Sequence, residues 1–294
     1  MYKLIVTLLL LAGNSNARNL NLNKFADYVQ YPSESTGELV SEWNEEMKIN
    51  PEEMGEYFEG DIIYPGARNG LLDETLRWKE GIVPYVIAGP YDKEDLDKIF
   101  GAMEQYHKNT CIRFRKKKAE DVDYLSIQNT KTGCWSSVGK IGGKQDLNLQ
   151  SPGCVSTLGT PIHEFMHALG FHHEQTREER DDFVTILWKN IAMGRENNFE
   201  KLKNGTSSDF QVPYDYDSVM HYSKYAFSKN QQATIDPKEK GAEIGQRKGF
   251  SEGDLKKVNS MYGCGNDNLR TTEKPDYNVP HGVNILDIIT TIFG

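Results

Sequence analysis

Three histidines in the stretch His163-Glu164-Phe165-Met166-His167-Ala168-Leu169-Gly170-Phe171-His172-His173-Glu174 stand at a spacing that can hold one metal ion. On a helix, His163 and His167 project from one face a turn apart, so both imidazoles reach the same ion. Neutral imidazole nitrogen suits zinc, and three protein ligands with one position open is the catalytic rather than the structural arrangement. Glu164 leaves the same turn toward the open side, where its carboxylate can take a proton from water without being a ligand; it reads as the general base. A straight helix would carry the next histidine aside, whereas Gly170 can adopt positive φ, end the helix and turn the chain back. His173 then becomes the third ligand, and His172 is expected to pack behind the site.

The full pattern is the metzincin signature. Beyond it, His173-Glu174-Gln175-Thr176-Arg177-Glu178-Glu179-Arg180-Asp181 resembles the extension that marks the astacin family, and Ser218-Val219-Met220-His221-Tyr222 resembles its Met-turn. The resemblance implies a Met220 side chain beneath the imidazoles and a Tyr222 hydroxyl that ligates zinc at rest and swings to the oxyanion in turnover. On residue type alone both would be core residues. The implied fold is α+β and two-lobed. Its N-terminal lobe has a twisted, mostly parallel sheet with an antiparallel edge strand and long helices; its C-terminal lobe is irregular with a final helix. The implied activity is hydrolysis of peptide bonds in proteins, with one Zn²⁺ per chain.

The elements that must carry this site start with a processing segment. Met1-Tyr2-Lys3 precedes the nine-residue run Leu4 to Ala12, too short for the about 20 residues that span a bilayer as a helix. With small residues at Ser15 and Ala17, residues 1–17 read as a secretory signal, which places the protein outside the cell. No later run is long and apolar enough to suggest a membrane span.

Residues 18–68 hold four Lys/Arg against eleven Asp/Glu, while residues 69–264 hold 27 against 28. Composition alone makes the first segment a solvated acidic arm. However, Phe58-Glu59-Gly60-Asp61 resembles the astacin propeptide motif, which implies that Asp61 occupies the open position on zinc. Trp78-Lys79-Glu80-Gly81-Ile82-Val83-Pro84-Tyr85 resembles the stretch that follows the family's mature N-terminus. Counting back nine residues puts the activation cleavage between Arg68 and Asn69, as a trypsin-like protease would cut. The new α-ammonium of Asn69 is then implied to turn inward to Glu174. The domains expected are an inhibitory propeptide (18–68), a catalytic domain (69–264) and a polar tail (265–294).

Within the catalytic region, Ile82 to Ala88 is β-branched and ends at Gly89-Pro90, hence a strand and turn. Asp92 caps a helix whose apolar positions are Leu96, Ile99, Phe100, Met103 and Tyr106. Ile112 and Phe114, Val122 to Ile127, and Leu147 with Leu149 give further strands. Residues 182–199 read as helix and loop lining the lower lobe. Ser251 with Asp254 starts a last helix whose buried stripe is Leu255, Val258 and Met261. Cys134-Trp135-Ser136-Ser137-Val138 falls where the family places the edge strand of its cleft; an unpaired edge can take an extended peptide as an added strand, with Trp135 in the substrate pocket.

An even count of four cysteines in a secreted chain favours two disulfides, with three possible connectivities. The resemblance selects Cys111 with Cys264 and Cys134 with Cys154. Asn204-Gly205-Thr206 is a glycosylation sequon. Gly245-Gln246-Arg247 resembles the segment that in meprin- and tolloid-type relatives puts an arginine into the pocket for the residue after the scissile bond, so Arg247 would favour an acidic side chain there. The expected partners are a protein or peptide substrate and a trypsin-like activating protease. Nucleic acid is not expected, because the catalytic region is nearly neutral and its basic run, Arg115 to Lys118, is short. A monomer is expected. The alternative reading is a secreted binding protein on an inactive protease scaffold.

Overall fold

The alternating and helical spacings resolve, in a computed structural model that describes residues 31–63, 74–202 and 208–265, into a five-stranded sheet with helices packed on it. The strands are β1 (Ile82–Ile87), β2 (Arg113–Lys116), β3 (Tyr124–Gln128), β4 (Cys134–Trp135) and β5 (Lys144–Leu149), in spatial order β2-β1-β3-β5-β4. All pairings are parallel except β4 with β5, so β4 is the antiparallel edge. A parallel pair needs a crossover, and between β1 and β2 that crossover is the helix Lys93–Asn109, capped by the Asp92 side chain on the Asp95 N–H. Preceding it in the chain is α1 (Glu34–Ser41), so the crossover is α2. The third strand starts later than Val122, which is 75% exposed.

The next helix, α3 (Gly159–Leu169), carries the first two candidate ligands and is buried at every residue. Such a helix is held from all sides. Tyr106 of α2 donates its hydroxyl to the Ile162 carbonyl (2.7 Å). At the C-terminal end, Trp78 Nε1 donates to Ala168 O and the Tyr262 hydroxyl to Leu169 O, each at 2.8 Å. These bonds satisfy carbonyls that a helix terminus leaves open.

Residues 182–199 differ from expectation. They form a strand, β6 (Val184–Ile186), and short 3₁₀ turns at Trp188–Asn190 and Glu196–Phe199 rather than an α-helix. Here β6 pairs with β7 (Ile235–Pro237), and Ile191 and Phe199 bury into a second hydrophobic core with Tyr214, Tyr222 and Ala226 while Trp188 stays half exposed. Packing of Ile191 and Phe199 onto that small core is met by turns and a short strand rather than by a helix. The last helix, α4 (Glu252–Tyr262), is capped reciprocally by Ser251 and Asp254.

The acidic segment is not a solvated arm over residues 31–63. Tyr57 is fully buried and donates to Thr132 O (2.7 Å), and Gln150 Nε2 donates to Gly37 O (2.9 Å). The backbone at Asp61–Ile63 adds to the sheet edge: Ser136 N–H donates to Asp61 O and Ile63 N–H to Ser136 O, both 2.9 Å, in a parallel bridge of Ile62 with Ser136. Arg68, Asn69, Asn204, residues 1–17 and residues 266–294 lie outside the described residues, and the expectations placed on them are not addressed by the structure.

Two disulfides are present, Cys111–Cys264 across 153 residues and Cys134–Cys154 across 20. A cross-link closing so long a loop restricts the unfolded chain most. Replacing Cys111 and Cys264 together by Ser is expected to lower unfolding stability by about 2–5 kcal/mol, read from the shift in a urea midpoint. An unshifted midpoint contradicts the assignment of that bond as a main staple of the fold.

Candidate metal centre

The three imidazoles converge as the helical spacing requires. Gly170 takes φ 117° and caps α3, with its N–H on His167 O (2.8 Å), and the chain turns back so that His173 meets the helix face. His163 Nε2 lies 3.1 Å from His167 Nε2 and 3.3 Å from His173 Nε2. The Asp61 carboxylate completes the group: Oδ2 is 3.0 Å from His163 Nε2 and 3.2 Å from His173 Nε2, and Oδ1 is 3.4 Å from His167 Nε2. All four side chains are buried.

The donor chemistry calls for a cation. His163 Nδ1 bonds Val219 O (2.8 Å), His167 Nδ1 bonds Phe171 O (2.7 Å), and His173 Nδ1 bonds Glu59 Oε2 (2.8 Å). Each partner is an acceptor only, so each Nδ1 carries the proton and each neutral ring turns a bare Nε2 lone pair inward. Three lone pairs and a carboxylate facing one point repel unless a cation lies among them. Asp61 Oδ2, His163 Nε2 and His173 Nε2 stand 3.0, 3.2 and 3.3 Å apart, close to the spacing of donors that each lie about 2.0 Å from a shared tetrahedral ion, the bond length of zinc to nitrogen or oxygen. The site therefore fits zinc.

Glu164 is fully buried, and neither of its carboxylate oxygens has a hydrogen-bond partner among the described residues. Burial and the neighbouring Asp61 and Glu52 carboxylates push its pKa well above the usual carboxylate range, against the pull of Arg247. Asp61 goes the other way: burial opposes its charge, but positive charge and donated hydrogen bonds from His173, His167 and His163, wherever those rings are protonated, outweigh burial and hold it well below that range.

The Met-turn sits against the ligands through its backbone. Besides Val219 O on His163, Met220 O accepts the Glu174 N–H (3.0 Å), and buried Asp254 of α4 accepts from Ser218 Oγ (2.6 Å) and Val219 N (2.8 Å). Met220 is buried in the main core. The Tyr222 ring stands 4.6 Å from the His173 ring, and its hydroxyl donates to Glu59 O (2.6 Å). Trp135 is buried against Tyr57 and Ile63 of the acidic segment. Glu174 accepts from Lys257, from Arg177 (2.8 Å) and from the Asp215 N–H (2.9 Å). Arg247 is buried and donates from Nε to Glu52.

Residues 71–263 match the family model described as Astacin (Peptidase family M12A). The chain belongs to the astacin family. It is 43% identical over 223 residues to zinc metalloproteinase nas-15 of Caenorhabditis elegans, covering 76% of this chain and 38% of that protein. With zinc metalloproteinase nas-13 of the same organism it shares 46% over 202 residues, 69% of this chain and 44% of that protein. It is 44% identical over 212 residues to human meprin A subunit beta, covering 70% and 30% respectively. The chain thus spans less than half the length of these curated relatives. Among solved structures, the medaka (Oryzias latipes) hatching enzyme zinc-protease, high choriolytic enzyme 1, superimposes with a TM-score of 0.59 at 38% identity, over 64% of this chain and 93% of that one. The two-lobed metzincin fold and the zinc dependence expected of this astacin-family chain follow at the level of the family.

Glu52, Glu53 and Glu59 are the residues that sequence reasoning missed. Glu59 binds His173 and lies 3.6 Å from His172 Nδ1, while Glu52 and Glu53 occupy the Arg247 side of the cleft. Glu52 and Glu53 each read as one acid among many in the segment, whereas Glu59 stood within the Phe58-Glu59-Gly60-Asp61 motif with no role assigned to it.

Proposed function

We propose that this chain is the latent form of a secreted zinc-dependent endopeptidase, with residues 18–68 as its inhibitory propeptide. One observation carries the reading: the Nε2 atoms of three histidines and the Asp61 carboxylate converge on one point, and Glu164, next to His163 in the chain, is buried with no hydrogen-bond partner for its carboxylate among the described residues. Zinc bound there supplies Lewis acidity, which makes water a competent nucleophile near neutral pH. His163, His167 and His173 would hold the ion, and in the latent form Asp61 would be the fourth ligand. After the propeptide leaves, Glu164 takes the proton of the attacking water and delivers it to the departing peptide nitrogen. Tyr222, freed from Glu59 O, turns its hydroxyl to the oxyanion.

Release follows cleavage between Arg68 and Asn69 by a trypsin-like protease, and the α-ammonium of Asn69 joins Lys257 and Arg177 around Glu174. Secretion rests on residues 1–17 and glycosylation at Asn204 on its sequon. The edge at Trp135-Ser136 takes the substrate as it takes Asp61–Ile63. Preference for an acidic residue after the scissile bond is supported by the buried pair of Arg247 with Glu52. Arg247→Met should then reduce the ratio of kcat/KM for Glu over Gln at that position by about tenfold or more; an unchanged ratio refutes the role.

The reading is tested by metal analysis and proteolysis together. One zinc per chain is expected, with peptide hydrolysis by the matured protein lost to a chelator and restored by zinc. Zinc-loaded, matured protein that cleaves no peptide contradicts it.

A further inference from the structure

We propose that the cleft contains a second carboxylate seat, on Ser223, adjoining the Arg247 seat, and that the mature protein uses both to select acidic residues at two positions of its substrate. The proposal rests on the protease reading and on Arg247 as an acid-binding group. Within the 3₁₀ turn Pro51–Met54 of the acidic segment, the adjacent residues Glu52 and Glu53 send their carboxylates to different groups of the body. Glu52 receives Arg247 Nε on Oε1 and the Thr160 hydroxyl on Oε2 (3.3 Å). Glu53 receives the Ser223 N–H on Oε1 and the Ser223 hydroxyl on Oε2, both at 2.6 Å. Backbone amide and hydroxyl of one residue thus grip a carboxylate at both oxygens.

Glu52 and Glu53 are 1% and 2% exposed. A carboxylate taken so far from water costs several kcal/mol unless it is matched by donors or a cation. Glu53 also accepts from its own segment, from Asn50 N (3.1 Å) and Asn50 Nδ2 (2.9 Å), so the body's share of the match is the charge of Arg247 and the Ser223 pair, which burial and the neighbouring Glu52 still outweigh, leaving the Glu53 carboxyl above its usual range.

The seats adjoin because of Gly245. Its φ is +85°, and a Cβ there would fall 2.3 Å from Ser223 Cα, so only glycine lets the Gly245-Gln246-Arg247 loop lie against Ser223. The loop is held in place by Gly159 N–H on Arg247 O (3.0 Å) and by Arg247 Nη1 on His221 O (3.1 Å). Arg247 Nη2 is buried without a hydrogen-bond partner among the described residues, which leaves one donor for a carboxylate that approaches more squarely than Glu52 does. The acidic segment therefore displays, in its own side chains, the chemistry the cleft accepts.

The test uses the matured protein and a peptide series. The parent peptide carries one Glu directly after the scissile bond, and a second Glu is scanned through the neighbouring positions. One position is expected to raise kcat/KM by a further tenfold or so, the order of a hydrogen bond to a charged group. Ser223→Ala, which loses the hydroxyl and keeps the backbone N–H, should cut that increment several-fold and keep the preference for the first Glu, while Arg247→Met should lower the preference for the first. A synthetic peptide of residues 50–63 gives a second measurement: it should inhibit the matured protein, and its E53Q form should inhibit about tenfold less well, with the difference reduced several-fold in Ser223→Ala. No responsive position, or an increment undiminished in Ser223→Ala, overturns the second seat alone. Indifference to the first Glu overturns the Arg247 premise, and failure to cleave any peptide overturns the protease reading, so the failures are distinguishable.

Discussion

Glu164→Gln is expected to lower kcat of the matured protein by about 10²–10⁴-fold, the range for a positioned general acid–base group, and to leave zinc content unchanged. The amide has the same shape and cannot take a proton from water. Metal retention is expected because the ligand set lies elsewhere: His163, His167 and His173 are oriented by Val219 O, Phe171 O and Glu59, none of which involves Glu164. Both Glu164 oxygens are buried without a hydrogen-bond partner among the described residues, so the fold loses no bond when the charge is removed. Metal analysis and single-turnover peptide cleavage on the same sample check this. Full activity in the variant removes Glu164 from the chemistry, and activity lost together with zinc makes it a structural residue. A binding protein on a dead scaffold would be indifferent to the change.

Asp61→Asn addresses latency. In the uncleaved protein Asp61 is 1% exposed and faces all three histidines, and removing one partner of a buried, hydrogen-bonded charge group costs about 2–5 kcal/mol. That amounts to at least a tenfold rise in the fraction of molecules with an open site. The uncleaved variant should therefore hydrolyse peptide where the uncleaved parent does not, and should yield zinc to a chelator faster. It should remain slower than fully matured protein, because Glu52, Glu53, Glu59 and the Ser136 edge still hold the segment. If the variant is as inert and as slow to release zinc as the parent, Asp61 is not the latch.

The metal helix and its return were legible because their spacing is rigid: two histidines one turn apart, then a residue free to take positive φ at 170. The sheet was legible from alternation, as at Ile112 and Phe114. What escaped has a common physical cause, which is partnership over distance. Glu52 meets Arg247 across 195 residues, Glu53 meets Ser223 across 170, and Glu59 meets His173 across 114. In a segment where acids recur every few residues, no spacing separates a buried carboxylate from a solvated one. Lys257 shows the same limit: nothing in its spacing marks it out, yet it is buried on Glu174, whose expected partner was the ammonium of Asn69. Residues 182–199 misled in a different way: a mixed stretch read as helix and loop forms a strand and turns around the small core of Phe199 and Tyr222.

The most direct measurement is peptide hydrolysis by the purified full chain before and after limited trypsin treatment, with and without a zinc chelator, combined with sequencing of the new amino terminus. The predicted result is an inert starting material that becomes active only as chains beginning at Asn69 appear, and that loses activity with chelation. An uncleaved chain already at full activity contradicts the latch, and a zinc-loaded chain beginning at Asn69 that cleaves no peptide contradicts the central claim.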